Sequence, residues 1–400
     1  MNSLHIYDVV VIGGGPCGAT AADDLARAGR SVLLLDKAGR IKPCGGAIPP
    51  RLVKDFNIDE RQLVAKVRGA RIISPSDRLV DMPIDDGYVA MVDREHFDEY
   101  LRRRAGLSGA MRATGTFERL ERDTDGTAIV CYRMGKDGPL ETVRCRTVIG
   151  ADGARSVVAK QALREEHVPC VFAYHEIVRA PANDSGTTAR YDGQRCDVYY
   201  QGGLSPDFYA WVFPHGDTAS IGTGSANKGF SLRGAVATLR EQNGMTGLET
   251  VRREGAPIPM RPRKCWDNGK DVLLAGDAAG VVAPASGEGI YYAMICGRFA
   301  AEAVEELLAT GDVRALARCR KRFMKDHGRV FWILGIMQKF WYSSDKRRER
   351  FVSMCNDADV QRLTWESYMN KKLTRRDPMA HIKIFFKDMA HLCGFVSSKA

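Results

Sequence analysis

Between Tyr7 and Asp36 an apolar run, a glycine-dense turn, an alanine-rich segment and a second apolar run follow in order, and an acid ends the series. Tyr7-Asp8-Val9-Val10-Val11-Ile12 is short, β-branched and bounded by glycine, which predicts a buried parallel strand. Gly13, Gly15 and Gly18 fill the glycine places of Gly-x-Gly-x-x-Gly, with Pro16 and Cys17 inside the turn. Such a turn lets the backbone approach a pyrophosphate, and a helix predicted over Thr20 to Ala28 adds unpaired amides at its start. The second strand, Ser31 to Asp36, puts Asp36 18 residues beyond Gly18, where a carboxylate meets ribose hydroxyls in this unit. A glycine-rich turn by itself is weak evidence. Strand, turn, helix, strand and acid in register predict a bound dinucleotide.

Composition bounds what the rest adds. The 400 residues are 44% hydrophobic, enough for two domains or one elaborated α/β unit. No basic N-terminal region followed by an apolar stretch is present, so a cytoplasmic address is expected. Eleven cysteines are scattered without a Cys-x-x-Cys pair or a Cys/His cluster, which favours reduced thiols and no metal site. The net charge of +10 is concentrated at one end: Asp312 to Ala400 holds 20 Lys and Arg against 9 Asp and Glu. Anionic lipid, an acidic partner or water alone suits such a segment. No nucleic-acid-binding motif accompanies it, and no nucleic-acid partner is expected.

After Asp36 and Lys37, the run Lys42-Pro43-Cys44-Gly45-Gly46-Ala47-Ile48-Pro49-Pro50 is too rich in Gly and Pro for a regular element. Cys44 reads either as a small residue packed in a tight loop or as a thiol at a reaction centre. Asp93 is a predicted N-cap, with Phe97 and Leu101 on one face of the helix it opens. Arg94 opposes the helix dipole there, so it marks either an anion or an ordinary surface cation. Two further segments repeat the strand, glycine and acid pattern: Thr147 to Ser156, with Asp152-Gly153, and Asp271 to Gly280, with Gly276-Asp277. The second leads through Pro284-Ala285-Ser286-Gly287-Glu288-Gly289-Ile290 into a helix reaching about Leu308.

From about Val168 to Arg253, short aromatic and Thr-rich runs separated by Gly, Asp and Asn predict an antiparallel sheet. In its run Phe208 to Pro214, Tyr209, Trp211 and Phe213 share one strand face, as core or as the wall of a long apolar pocket. Gly222-Thr223-Gly224 lacks both a third glycine and a following helix, so no second nucleotide unit is expected. Val330 to Met337 is an apolar run too short to span a bilayer. Ile382, Phe385, Phe386 and Met389 recur at helical spacing beside Lys383 and Lys387, a pattern for a membrane-surface helix or for one docked on its own domain.

The three acid-bearing segments together resemble flavoproteins of p-hydroxybenzoate hydroxylase type. Lys42 to Gly46, Tyr209-x-Trp211-x-Phe213-Pro214 with Gly222-x-Gly224, and Pro284 to Ile290 narrow the resemblance to the geranylgeranyl reductase family. Met337-Gln338-Lys339 and Phe351-Val352-x-Met354-Cys355 are similar to its chlorophyll and bacteriochlorophyll branch. One departure is Asp36, where the wider flavin family usually carries Glu.

The resemblance implies an α/β fold: a Rossmann-like FAD-binding domain (1–70, 92–165 and 256–328), an antiparallel-sheet substrate domain (71–91 and 166–255) and a basic helical C-terminal region (329–400). It implies FAD held by Gly13, Gly15, Pro16, Cys17, Gly18, Asp36, Lys37, Cys44, Gly45, Gly46, Arg94, Asp152, Gly153, Gly276, Asp277, Gly287, Glu288, Gly289 and Ile290. NADPH would reduce the flavin without a domain of its own. Tyr209, Trp211, Phe213, Pro214 and Gly222 would line an isoprenoid channel, with Cys44 placing the alkene or relaying a proton. The expected reaction takes a geranylgeranyl chain, free or on a tetrapyrrole, to phytyl, at a membrane that the basic C-terminal region touches peripherally. Rival expectations are an archaeal-type ether-lipid reductase, an FAD monooxygenase of the same fold, and a non-enzymatic prenyl-binding protein.

Overall fold

The computed structural model describes residues 5–37, 41–135, 137–181 and 191–371. In chain order the strands are β1 (Ile6–Ile12), β2 (Val32–Asp36), β3 (Ala47–Ile48), β4 (Leu63–Val67), β5 (Gly69–Ile73), β6 (Leu79–Pro83), β7 (Val89–Val92), β8 (Met111–Thr114), β9 (Thr116–Arg122), β10 (Ala128–Arg133) and β11 (Leu140–Gly150). They continue as β12 (Cys170–Arg179), β13 (Arg195–Tyr199), β14 (Ala210–His215), β15 (Thr218–Ser225), β16 (Thr250–Pro259) and β17 (Val272–Leu274). The helices are α1 (Pro16–Arg27), α2 (Pro50–Asp55), α3 (Arg94–Leu107), α4 (Val157–Ala162), α5 (Leu232–Gln242), α6 (Ile290–Thr310), α7 (Leu316–Trp341), α8 (Asp345–Met354) and α9 (Ala358–Asn370).

Two compact units share the chain: Met1–Pro43, Asp93–Phe172 and Gly255–Gly335 in one, Cys44–Val92, Ala173–Glu254 and Ile336–Ala400 in the other. Segment 44–70, expected with the nucleotide domain, belongs to the second unit. Hydrogen bonding decides this: β3 and β4 pair with β7, and β5 with β13. No break occurs at 329, since α7 runs through it, and the Val330 to Met337 run lies inside that helix. The amphipathic pattern of Ile382 to Met389 lies outside the described residues.

The first unit is built on a sheet ordered β8-β2-β1-β11-β10-β9, with β17 also paired to β11. β1 is parallel to both β2 and β11, and Val9, Val10 and Val11 are fully buried, as a strand covered on both faces requires. α1 starts at Pro16, four residues before the sequence expectation, because proline at the first helical position gives up only an amide that has no partner in the helix. Asp93 caps α3 by accepting from the Glu95 amide at 2.8 Å, and Arg94, Phe97, Leu101 and Ala105 form its buried side.

In the second unit the sheet runs β16-β12-β15-β14-β13-β5-β6. It is not wholly antiparallel, because β5 joins parallel to β13. Period-2 alternation gives its two faces different tasks. Ala210, Val212, Ala219 and Ile221 point into a core shared with Val236 and Leu239 of α5. Trp211 and Phe213 take the other face.

Candidate active site

The glycine turn of the first unit is shaped by what glycine leaves out. A Cβ on Gly13, which has φ +106°, would lie 2.3 Å from the Ala151 carbonyl oxygen, and one on Gly18 would lie 1.9 Å from that of Gly13. Backbone therefore packs on backbone beneath the turn. At Gly15 and Gly153 the same test meets nothing within 4 Å among the described residues, so the turn and the Asp152-Gly153 segment each leave room at that place. That combination fits a diphosphate laid on main-chain amides at the start of α1.

Asp36 accepts from the Gly14 amide at 2.8 Å and faces Arg102 of α3 at 3.3 Å, while Arg102 also donates to the Gly14 carbonyl at 3.2 Å. The acid is thus tied to the turn it serves. Lys37 beside it is exposed. Arg94 is buried and paired with Asp98 through two bonds of 2.8 and 2.7 Å. Breaking a buried pair of this kind costs about 3–5 kcal/mol, so Asp98 holds the guanidinium in place at the start of α3. Asp152 Oδ2 accepts from the first two amides of α4, Val157 and Val158, at 2.6 and 3.2 Å, while Ser156 is that helix's N-cap. Its Oδ1 is buried without a hydrogen-bond partner among the described residues, and burial raises its pKa above the usual carboxylate value.

Gly276 and Asp277 form a tight turn after β17, and Lys42 pairs with Asp277. Pro16 and Cys17 are buried, and the Cys17 Sγ sits 3.1 Å from where a Gly276 side chain would start. Cys17 therefore packs the glycine turn onto the Gly-Asp turn. Gly287, at φ +65°, leads through half-buried Glu288 to Gly289, which caps α6 without a side chain, and Ile290 opens that helix. The first amides of α6 carry the positive end of its dipole.

The second unit joins two motifs that lie far apart in sequence. Strand register sets Phe213 opposite Ser220 and Trp211 opposite Gly222. A Cβ on Gly222 would be 2.2 Å from Trp211 Cζ2, so the indole lies directly over bare backbone. Ring centroids of Tyr209 and Trp211 are 6.0 Å apart and those of Trp211 and Phe213 6.3 Å, making one continuous row. Pro214 is tolerated because β13 pairs with β14 only through Ala210, Trp211 and Val212. The Phe213 ring fills the space a Gly45 side chain would need, 2.6 Å from its Cβ position. His215 Nε2 donates to the Gly45 carbonyl at 2.9 Å, and the Cys44 Sγ accepts from the Gly46 amide at 3.3 Å. The end of β14 thus holds the Cys44 loop.

Arg102 and His215 escaped the sequence reading. Arg102 lies on α3, but its partners Asp36 and Gly14 are distant in sequence, which helical periodicity does not reveal. His215 follows the Tyr-x-Trp-x-Phe-Pro run directly, but its role depends on a loop about 170 residues earlier, which periodicity does not reveal. Gly222-Thr223-Gly224, weighed as a nucleotide turn, is strand β15 beneath the aromatic row.

These elements define a dinucleotide-binding oxidoreductase fold with a separate sheet that carries an aromatic row. Two solved structures share it: a geranylgeranyl bacteriochlorophyll reductase-like protein from Thermoplasma acidophilum (TM-score 0.79, 21% identity, 96% of this chain and 99% of that one), and the flavin-dependent brominase Bmp2 (TM-score 0.73, 18% identity, 96% and 100%). A family profile described as lycopene cyclase protein matches residues 8–175. A geranylgeranyl diphosphate reductase of Rhodobacter capsulatus is 57% identical over 98% of both chains. A digeranylgeranylglycerophospholipid reductase of Methanocaldococcus jannaschii is 31% identical over 82% of this chain and 85% of its own. The chain belongs to the geranylgeranyl diphosphate reductase family.

Proposed function

We propose that the protein is an FAD-dependent reductase that hydrogenates the isolated double bonds of a geranylgeranyl chain to give phytyl, with NADPH as reductant, for chlorophyll or bacteriochlorophyll. The observation that carries this is the near-full-length identity to a named geranylgeranyl diphosphate reductase. The open glycine turn and the aromatic row over Gly222 support it. Bound FAD supplies the hydride equivalent, and the protein's residues provide the remainder.

The turn that Gly13 and Gly18 make possible receives the diphosphate over Gly15, Asp36 held by Arg102 receives the ribose, and Gly153 leaves room for the cofactor. The α6 amides after Gly287 and Gly289 favour negative charge on the flavin ring. An isolated alkene offers no carbonyl to polarise, so rate depends on orientation and on excluding water. Tyr209, Trp211 and Phe213 hold the chain, and Cys44 orients the alkene or passes a proton to the carbon that does not receive hydride. His215 keeps the Cys44 loop in place.

Anaerobic incubation with NADPH is expected to add pairs of hydrogens, read by mass spectrometry, to geranylgeranyl diphosphate or to a geranylgeranylated tetrapyrrole. Reduction of an archaeal ether lipid alone would reassign the substrate. A hydroxylated product that needs oxygen would make the protein a monooxygenase, and a purified protein that never takes up flavin would make it a prenyl-binding protein. Full turnover by Cys44→Ala would remove Cys44 from the mechanism. No described helix is long and apolar enough to cross a membrane. Peripheral attachment through the basic C-terminal region is proposed, and the absence of salt-sensitive sedimentation with anionic vesicles would refute it.

A further inference from the structure

Behind the aromatic row, four residues form a polar line across the sheet of the second unit. Glu254 stands on β16, His175 on β12, Ser220 on β15 and Trp211 on β14, one on each of four neighbouring strands. The Trp211 indole N–H lies 3.1 Å from Ser220 Oγ, His175 Nδ1 lies 2.9 Å from the same oxygen, and His175 Nε2 is bonded to Glu254. Glu254 also accepts from Arg252 Nε at 2.8 Å. Ser220 is fully buried, His175 is 2% exposed and Trp211 5%.

Donor and acceptor chemistry fixes the two ends of the line. An indole N–H only donates, so Ser220 Oγ accepts from it, and a carboxylate only accepts, so His175 Nε2 donates to Glu254. Ser220 Oγ and His175 Nδ1 close the line between those ends. Every member is satisfied, as a buried polar set must be to persist in a sheet interior. Neither apolar packing nor a nucleotide accounts for a histidine in this place. Its line ends at Trp211, the middle ring of the aromatic row.

We propose that Glu254, His175 and Ser220 are positioning residues that lock the rotation of the Trp211 indole, and that this lock sets how the aromatic wall grips the prenyl chain. The inference rests on the reading of Trp211 as part of that wall. The full-length holoprotein labelled with fluorotryptophan tests it. Its five tryptophans give separate fluorine NMR signals, and Trp211→Phe identifies the one of interest.

Ser220→Ala is expected to shift and broaden the Trp211 signal. Loss of one neutral hydrogen bond should raise KM for geranylgeranyl diphosphate roughly three- to tenfold and leave kcat within about twofold. In the Trp211→Phe background the same substitution should add nothing, since the two act as one unit. An unchanged Trp211 signal and KM in Ser220→Ala would overturn the lock while leaving the wall reading intact. A shifted signal, with Trp211→Phe keeping the normal KM and geranylgeranyl diphosphate not moving the signal, would overturn the wall reading and this inference with it. If Ser220→Ala lowers the folded fraction, Ser220→Cys, near in size and weaker as an acceptor, carries the same comparison.

Discussion

Glycine does different work in the two units. In the turn from Gly13 to Gly18 it lets backbone meet backbone, with a missing Cβ 1.9 Å from a carbonyl oxygen at Gly18. At Gly222 it makes room for a side chain, the Trp211 ring at 2.2 Å. Main chain held by a sheet and a helix has nowhere to go, whereas the crowding at Gly222 falls on side chains, those of Trp211 and, at 2.7 Å, His175. The first site is therefore intolerant by geometry, and the second yields at the expense of side-chain placement.

That contrast is open to direct tests. Gly18→Ala should be the most damaging, losing about 3 kcal/mol or more of stability, near or beyond the top of the range for overpacked cores, together with bound flavin. Thermal unfolding and the flavin spectrum read both, and retention of flavin would show that the backbone relaxes after all. Gly222→Ala should cost about 1–3 kcal/mol and keep the flavin, with the loss falling on prenyl turnover. Equal loss of flavin in both variants would erase the distinction between the units. His215→Ala removes a hydrogen bond worth about 1 kcal/mol from the Cys44 loop. It should lower kcat more than stability, and an unaltered kcat would show that Cys44 needs no support from β14.

Asp152 offers the smallest effect, and its sign follows from burial. Its pKa is raised because burial disfavours the carboxylate. Ionised Asp152 thus costs stability above its folded pKa, and the cost disappears as pH falls below the ordinary value near 3.9. Asp152→Asn keeps an acceptor for α4, so flavin-free protein should gain up to about 1 kcal/mol at neutral pH, and the gain should vanish in acid. A gain independent of pH would assign the effect to packing instead.

Much of the first unit was legible from sequence, because chirality and the approach of main chains dictate spacing. Gly13, Gly15, Gly18 and Asp36 fell where the strand, turn and helix required, and Asp93 capped α3 as its residue type and position announced. Arg94 shows the limit: a cation at a helix start marks an anion or an ordinary surface charge, and the structure buries it in a pair with Asp98 one turn later. Segment 44–70 was placed in the other unit because strand partners distant in sequence leave no local trace. The second unit's face was visible as alternation, yet His175, Ser220 and Glu254 were not, since each is ordinary alone and acquires meaning only across strands.

The meeting of Phe213 with Gly45 has a consequence for descent. With 2.6 Å between the ring and the place of a side chain at 45, position 45 cannot grow before position 213 shrinks. The Cys44 loop and the aromatic strand are thus constrained as one unit, and a larger residue at 45 requires the ring at 213 to shrink or move first.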